Sequence, residues 1–176
     1  MTTKIFAKDI NHLTDARYFA AWGAAWMCYN PEKITLSEIA AIKEWVAGPK
    51  HILDTRRIDR EEAIAMLSSG IFDGYLTDDG DLYKDIGNIS NNDMQVFSYK
   101  LDHLDHINLI MQINTSTSTA SLKKVIYEVE GSTEDVMRFV RENQPYGIIV
   151  SGDEEEEVGV KSFDNLDRIF EFLEEL

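Results

Sequence analysis

Apolar residues recur along this chain in two alternating rhythms. Short, bounded runs read as strands: Lys4–Ala7, Trp26–Tyr29, His51–Leu53, Gly74–Thr77, Met94–Tyr99, Ile107–Ile113, Lys124–Val129 and Tyr146–Val150. Between most of them, apolar positions fall three and four residues apart, the period of a helix with one buried face. Leu13, Ala16, Phe19 and Ala20 predict a helix over Leu13–Trp22, stopped by Gly23. Leu36, Ile39, Ala40 and Ile42 predict another over Thr35–Val46. Its opening, Thr35-Leu36-Ser37-Glu38, spaces a hydroxyl and a carboxylate to cap each other's backbone amides. Asp59–Ser69 has acidic residues in its first turn, at the positive end of the helix dipole, and Gly70 just beyond its last. Ser132–Asn143, with its Ser-Thr-Glu-Asp start, and Asn165–Leu176 complete the long helices, and Leu82–Ile86 fits a short one.

Eight strands alternating with helices or coil make the βα repeat of an α/β protein with a parallel sheet. Strands buried on both faces should be apolar throughout, as Ile107–Ile113 and Tyr146–Val150 largely are. Dividing 176 residues among eight units leaves 22 each, below the roughly 25 per unit of a usual closed barrel. The economy falls after strands 4, 5 and 6, where the helix signal is weak or missing. Thr115–Thr119 is a run of hydroxyl residues that compete for backbone hydrogen bonds, and it reads as loop. The pattern alone fits a closed barrel and an open doubly wound sheet equally, and in either case one domain over residues 1–176.

Charge narrows the partners. The chain carries 32 acidic against 17 basic residues, a net charge of −15. Such a surface repels phosphate backbones and anionic lipid, so neither nucleic acid nor membrane is an expected partner. A small phosphorylated ligand would need a local cationic or backbone N–H site working against that field; another protein is the other class of partner left open. Cys28 is the single cysteine, which excludes an intrachain disulfide and a cysteine-based zinc cage. The N-terminal residues form no apolar leader, and no stretch approaches the ~20 apolar residues of a spanning helix. The expected location is the cytoplasm, and no cofactor is expected.

Two segments carry a resemblance. Lys4-Ile5-Phe6-Ala7, then Asn11 and the helix start Asp15-Ala16-Arg17, resemble the opening of the phosphoribosylanthranilate isomerase family. That family runs Lys-Ile-Cys-Gly, an Asp-Ala helix and then Gly-Ala-Asp, and Gly23-Ala24-Ala25 stands where the last triplet falls. Tyr146-Gly147-Ile148-Ile149-Val150-Ser151-Gly152, followed by Gly159-Val160-Lys161 and a last helix, is similar to the family's ending. The order and spacing of these anchors span the chain, with little identity between them. The resemblance implies a compact (β/α)8 TIM barrel, with short or missing helices after strands 4 to 6 and a site at the C-terminal strand ends. It also implies an Amadori rearrangement of an aminoaldose phosphate to an aminoketose phosphate. That reaction needs a general base, a general acid, and a cradle of backbone N–H groups for phosphate after strands 7 and 8.

The departures fall on those working positions. The family's cysteine base is replaced by Phe6, whose phenyl ring accepts no proton. The family's acid, an aspartate ending strand 6, falls at Gln112, an amide; a slip of register offers Asn114. Val129-Glu130-Gly131-Ser132 keeps one glycine of the pair after strand 7. Ser151-Gly152 persists but runs into Asp153-Glu154-Glu155-Glu156-Glu157, which would repel a phosphate nearby, though the run reads most simply as a solvated loop. The loop Pro31-Glu32-Lys33-Ile34 lacks the arginine that meets the anthranilate carboxylate, and Tyr75-Leu76-Thr77-Asp78 replaces the family's Gln-Leu-His-Gly.

Other constellations are weaker. Lys8, Arg56 and Arg57, at the ends of strands 1 and 3, are the cations best placed for an anionic ligand. Cys28 reads as packing. His103 and His106 share a spacing with Asp102 and Asp105, but two histidines do not close a metal site, and no metal is expected. Trp22, Trp26 and Trp45 fit packing between helices and barrel. The reading that follows is a barrel that has lost the parent isomerase activity and acts as a binding or interaction protein. The alternative is an active isomerase of phosphoribosylanthranilate, a step of tryptophan biosynthesis, or of a related sugar phosphate. It would draw substitute acid and base from Asp9, Asp54, Asp78 and Glu128.

Overall fold

The computed structural model describes residues 3–79, 81–82, 86, 94–104, 107–113, 124–151 and 162–176, with 98–104, 107–113 and 124 described as strand backbone. The strands are β1 (Lys4–Lys8), β2 (Trp26–Tyr29), β3 (Lys50–Asp54), β4 (Gly74–Thr77), β5 (Gln95–Leu104), β6 (Ile107–Ile113), β7 (Lys124–Val129) and β8 (Gly147–Ser151). The helices are α1 (Leu13–Ala21), α2 (Leu36–Trp45), α3 (Arg60–Leu67), α4 (Thr133–Asn143) and α5 (Asp164–Glu174), with a 3-10 turn at Thr55–Arg57. Of the expected short helix, Leu82 and Ile86 are helical and buried; the residues between them lie outside the described ones. So do Thr115–Thr119, Asn114 and the acidic run at 153–157.

Local chemistry accounts for the helix ends. Thr35 and Glu38 form the expected reciprocal cap of α2, and Ser132 with Asp135 does the same for α4. Asp59 accepts from the Glu62 amide at 2.8 Å to open α3. Gly23 ends α1 at φ 70°, a conformation that costs glycine little. There its amide reaches Ala20 O and that of Ala24 reaches Phe19 O, each at 3.0 Å.

Each strand pairs with the next in chain order, and β8 pairs back to β1 over all five of its residues. The pairs β1–β2, β2–β3, β3–β4, β4–β5, β7–β8 and β8–β1 are parallel. The pairs β5–β6 and β6–β7 are antiparallel. The fold is therefore α/β, with a curled sheet in which seven strands share one direction and helices flank it. It resembles an incomplete (β/α) barrel. The expected compact (β/α)8 TIM barrel, with short or missing helices after strands 4 to 6, is thereby corrected in the direction of one strand, β6. The reason is length: β5 runs on to Leu104, and Ile107 already starts β6. A parallel crossover takes about a dozen residues or more, whereas two suffice for an antiparallel hairpin.

Side chains alternate across each strand and build two apolar layers. Phe6, Trp26, Cys28, Ile52, Leu76, Phe97, Ile126 and Ile149 fill the inside of the curl. Ile5, Ala7, Met27, Tyr29, Leu53, Tyr75, Ile148 and Val150 face the helices, where Phe19, Ile39, Ile42, Leu67 and Phe170 meet them. The last helix docks beside the first. Tyr18 Oη donates to Asp167 Oδ1 at 2.6 Å and its ring stacks on Phe163 at 3.9 Å, while Trp22 packs on Phe170 at 5.4 Å.

Two expectations for tryptophan fail here. Trp26 lies inside the curl, not under a helix, because the β1–β2 register sets it opposite Phe6. Trp45, the last residue of α2, is 69% exposed, with the Arg17 guanidinium 5.8 Å from its ring.

Candidate functional site

The seven parallel strands end on one side of the sheet, and most of the candidate residues gather there. Lys8 closes β1, Asp54 closes β3, Glu128 is the penultimate residue of β7, and Ser151 closes β8 opposite Lys8. Asp9 follows β1 in the left-handed region, at φ 55°. An aspartate tolerates that conformation better than a branched side chain. Asp78 lies just past β4 and is exposed. Gly152 falls outside the described residues.

Beneath this rim the described interior side chains are apolar and closely packed. The Phe6 ring is 0% exposed, edge-on to Phe97 at 5.2 Å and 6.0 Å from Trp26. A ring in that position is worth about 1.5–3 kcal/mol of burial, and a phenyl group accepts no proton. Cys28 shares the layer. Burial pushes its thiol well above the ordinary range, and the nearby Asp54 and Asp9 carboxylates add to this against Arg56 and Lys8. That suits a packing thiol rather than a thiolate nucleophile.

Each expected cation meets a carboxylate of the chain itself. Lys8 Nζ donates to Glu128 Oε1. Arg56 grips Asp54 with two parallel bonds, Nε to Oδ1 at 2.8 Å and a terminal nitrogen to Oδ2 at 2.6 Å, while its amide caps the same carboxylate at 3.1 Å. Arg57 reaches Glu32 at 3.6 Å on the exposed side of the turn. The phosphate-cradle candidates after β7 are engaged in the same way. Gly131 adopts φ 138°, and the amide and hydroxyl of Ser132 both donate to Asp135 Oδ2, at 2.9 and 2.7 Å. A Cβ on Gly131 would stand 2.8 Å from that oxygen. The sequence marks Ser132 as part of a helix start but does not show that its amide and hydroxyl are both taken by Asp135. Glu32 gave no signal beyond being one of many acids.

Gln112 is not part of this cluster. Its backbone pairs with Phe97 near the start of β5 and with Lys124, the first residue of β7. Because β6 runs against its neighbours, its C-terminal end, which carries Gln112, lies where theirs begin. Asp105 and His106 lie outside the described residues, and Asp102 and His103 belong to β5. Among the described residues, no group of three or more His, Cys, Asp or Glu could hold a metal ion. No helix among them is long and apolar enough to cross a membrane.

A second polar cluster lies on the helix-facing side of the sheet. Tyr29 Oη and His51 Nδ1 are 2.8 Å apart with stacked rings, and the Asp73 carboxylate accepts from the His51 amide at 2.8 Å. Burial, helped by Lys43 and Lys50, pulls the His51 imidazole down to about 4, against the opposing pull of Asp73. Burial likewise raises the Tyr29 phenol.

No protein-family model and no curated protein matches the chain. Solved structures do. Phosphoribosyl anthranilate isomerase from Thermus thermophilus superimposes with a TM-score of 0.70 at 16% identity, over 98% of this chain and 99% of that one. The Thermotoga maritima enzyme gives 0.67 at 12% identity, over 99% and 100%. A phosphoribosyl anthranilate isomerase in complex with reduced 1-(o-carboxyphenylamino)-1-deoxyribulose 5-phosphate gives 0.68 at 12%, over 99% and 100%. At such identities the likeness is one of fold: nearly the whole chain follows the path of a phosphoribosylanthranilate isomerase.

Proposed function

We propose that this chain is a divergent, one-domain, cytoplasmic relative of the phosphoribosylanthranilate isomerases that has lost the parent reaction and serves as a binding or interaction protein. Its partner is a small phosphorylated ligand or another protein. The observation that carries this reading is Phe6, a fully buried ring packed against Phe97 and Trp26 at the position of the family base. An Amadori rearrangement needs a group there that takes and returns a proton. The self-contained pairs Lys8–Glu128 and Arg56–Asp54 support the same reading, because a carboxylate already engaged by a cation must be released before it can reach a substrate.

The competing reading is an active isomerase with relocated acid and base. It draws its support from the gathering of Asp9, Asp54 and Glu128 at one end of the sheet, with Asp78 nearby. Calorimetric titration of the full chain with the reduced deoxyribulose phosphate separates the two, because that compound occupies the parent site without reacting. No saturable heat is expected. Saturable micromolar binding would restore a parent-type site and remove the basis of the proposal.

A further inference from the structure

The three pairs that tie up the expected cations differ in kind. Arg57–Glu32 is exposed on both sides, and such pairs hold little. Arg56 and Asp54 are two residues apart and shape a local turn. Lys8 and Glu128 are 120 residues apart and join β1 to β7 across the intervening β8. Their side chains are 28% and 17% exposed. Lys8 lies two residues beyond Phe6 and Glu128 two beyond Ile126, both interior residues. Strand alternation therefore sets this ion pair over the apolar plug, at the strand-end side of the sheet.

We propose that Glu128 is a built-in anion that closes this face to external ones. Its carboxylate occupies the Lys8 ammonium, so a phosphate-type oxyanion gains Lys8 only by displacing it. A carboxylate fixed on a neighbouring strand competes at an effective concentration that a free ligand reaches with difficulty, and the net charge of −15 adds to the disadvantage. The device is an autoinhibitory contact, and it rests on the reading above of a face that does not take the parent ligand.

The test is titration of the full chain with inorganic phosphate, followed by phosphorus NMR line broadening. Wild type should show no saturable binding through the millimolar range. Glu128→Gln should bind phosphate about tenfold or more tightly than wild type, and the gain should vanish when Lys8→Met is added. Glu128→Asp, which keeps the charge, should stay silent. A Glu128→Gln variant that is folded but binds no better than wild type overturns the proposal, as does a gain that survives Lys8→Met. Should Glu128→Gln fail to fold, acetylation of wild type decides. Lys8 should react at least about tenfold more slowly than the exposed Lys33, and equal rates would refute the contact. Binding in the ligand titration above would overturn the parent reading, whereas phosphate silence in Glu128→Gln with that titration also silent would overturn the latch alone.

Discussion

Single residues set what the strand-end face can do. Phe6 serves packing: Phe97 meets its ring edge-on, and Cys28 is sealed into the same layer. His51 shows a different consequence of burial. Its imidazole is neutral in the fold, pulled down to about 4, with Tyr29 Oη on Nδ1, whereas in the unfolded chain it titrates near 6.5. A depressed pKa contributes stability that is fully present above the unfolded value and is lost as pH falls through the folded one. Urea unfolding between pH 6.5 and about 4 should therefore lose His51-linked stability by no more than about 1.4 kcal/mol per pH unit. His51→Gln should flatten that slope above pH 5, where few carboxylates titrate. An unchanged slope in the variant would show that His51 is not the group responsible.

At the scale of elements, much of the fold was legible. All eight strands lie where the apolar runs fall, and the capping box spelled by Thr35 to Glu38 forms as expected, while the Ser132 helix start gains a similar reciprocal cap from Asp135. The direction of β6 is legible only from the length of the connection before it. Strands over Met94–Tyr99 and Ile107–Ile113 leave seven residues between them, fewer than a parallel crossover needs. Apolar runs carry no mark of direction, and the resemblance at the two ends of the chain imposed the parallel order. The antiparallel order sets Gln112 beside the start of β7. The rim residues Lys8, Asp54, Arg56 and Glu128 were found because strand ends are visible in sequence. Their pairing was not, because contacts such as Lys8–Glu128 span more than a hundred residues and depend on register. The antiparallel register sets Val96 opposite Ile113. In a Cys28→Ser background, the Val96→Cys, Ile113→Cys pair should form a disulfide on mild oxidation. Cross-linking instead in Val96→Cys, Ile107→Cys would mean that β6 runs parallel.

Across the whole molecule, an isomerase-like chain path is combined with chemistry turned inward. The last helix meets the first where α5 packs on α1 through Tyr18, Asp167 and Phe163, and charged side chains at the strand ends are engaged with one another. Carboxylates of the chain stand against the strand-end cations and against the Ser132 amide, and a field of net charge −15 surrounds them. The measurement that reaches the central claim most directly is turnover of phosphoribosylanthranilate by the purified chain, followed by fluorescence. A Phe6→Cys, Gln112→Asp variant should be run beside it. The account predicts no turnover above buffer for wild type. It predicts none for the variant either, because Gln112 lies at the far end of the sheet from Phe6's rim. Wild-type turnover above background would contradict it, and would mean that a carboxylate now bound in an ion pair is released to do the work of the missing base.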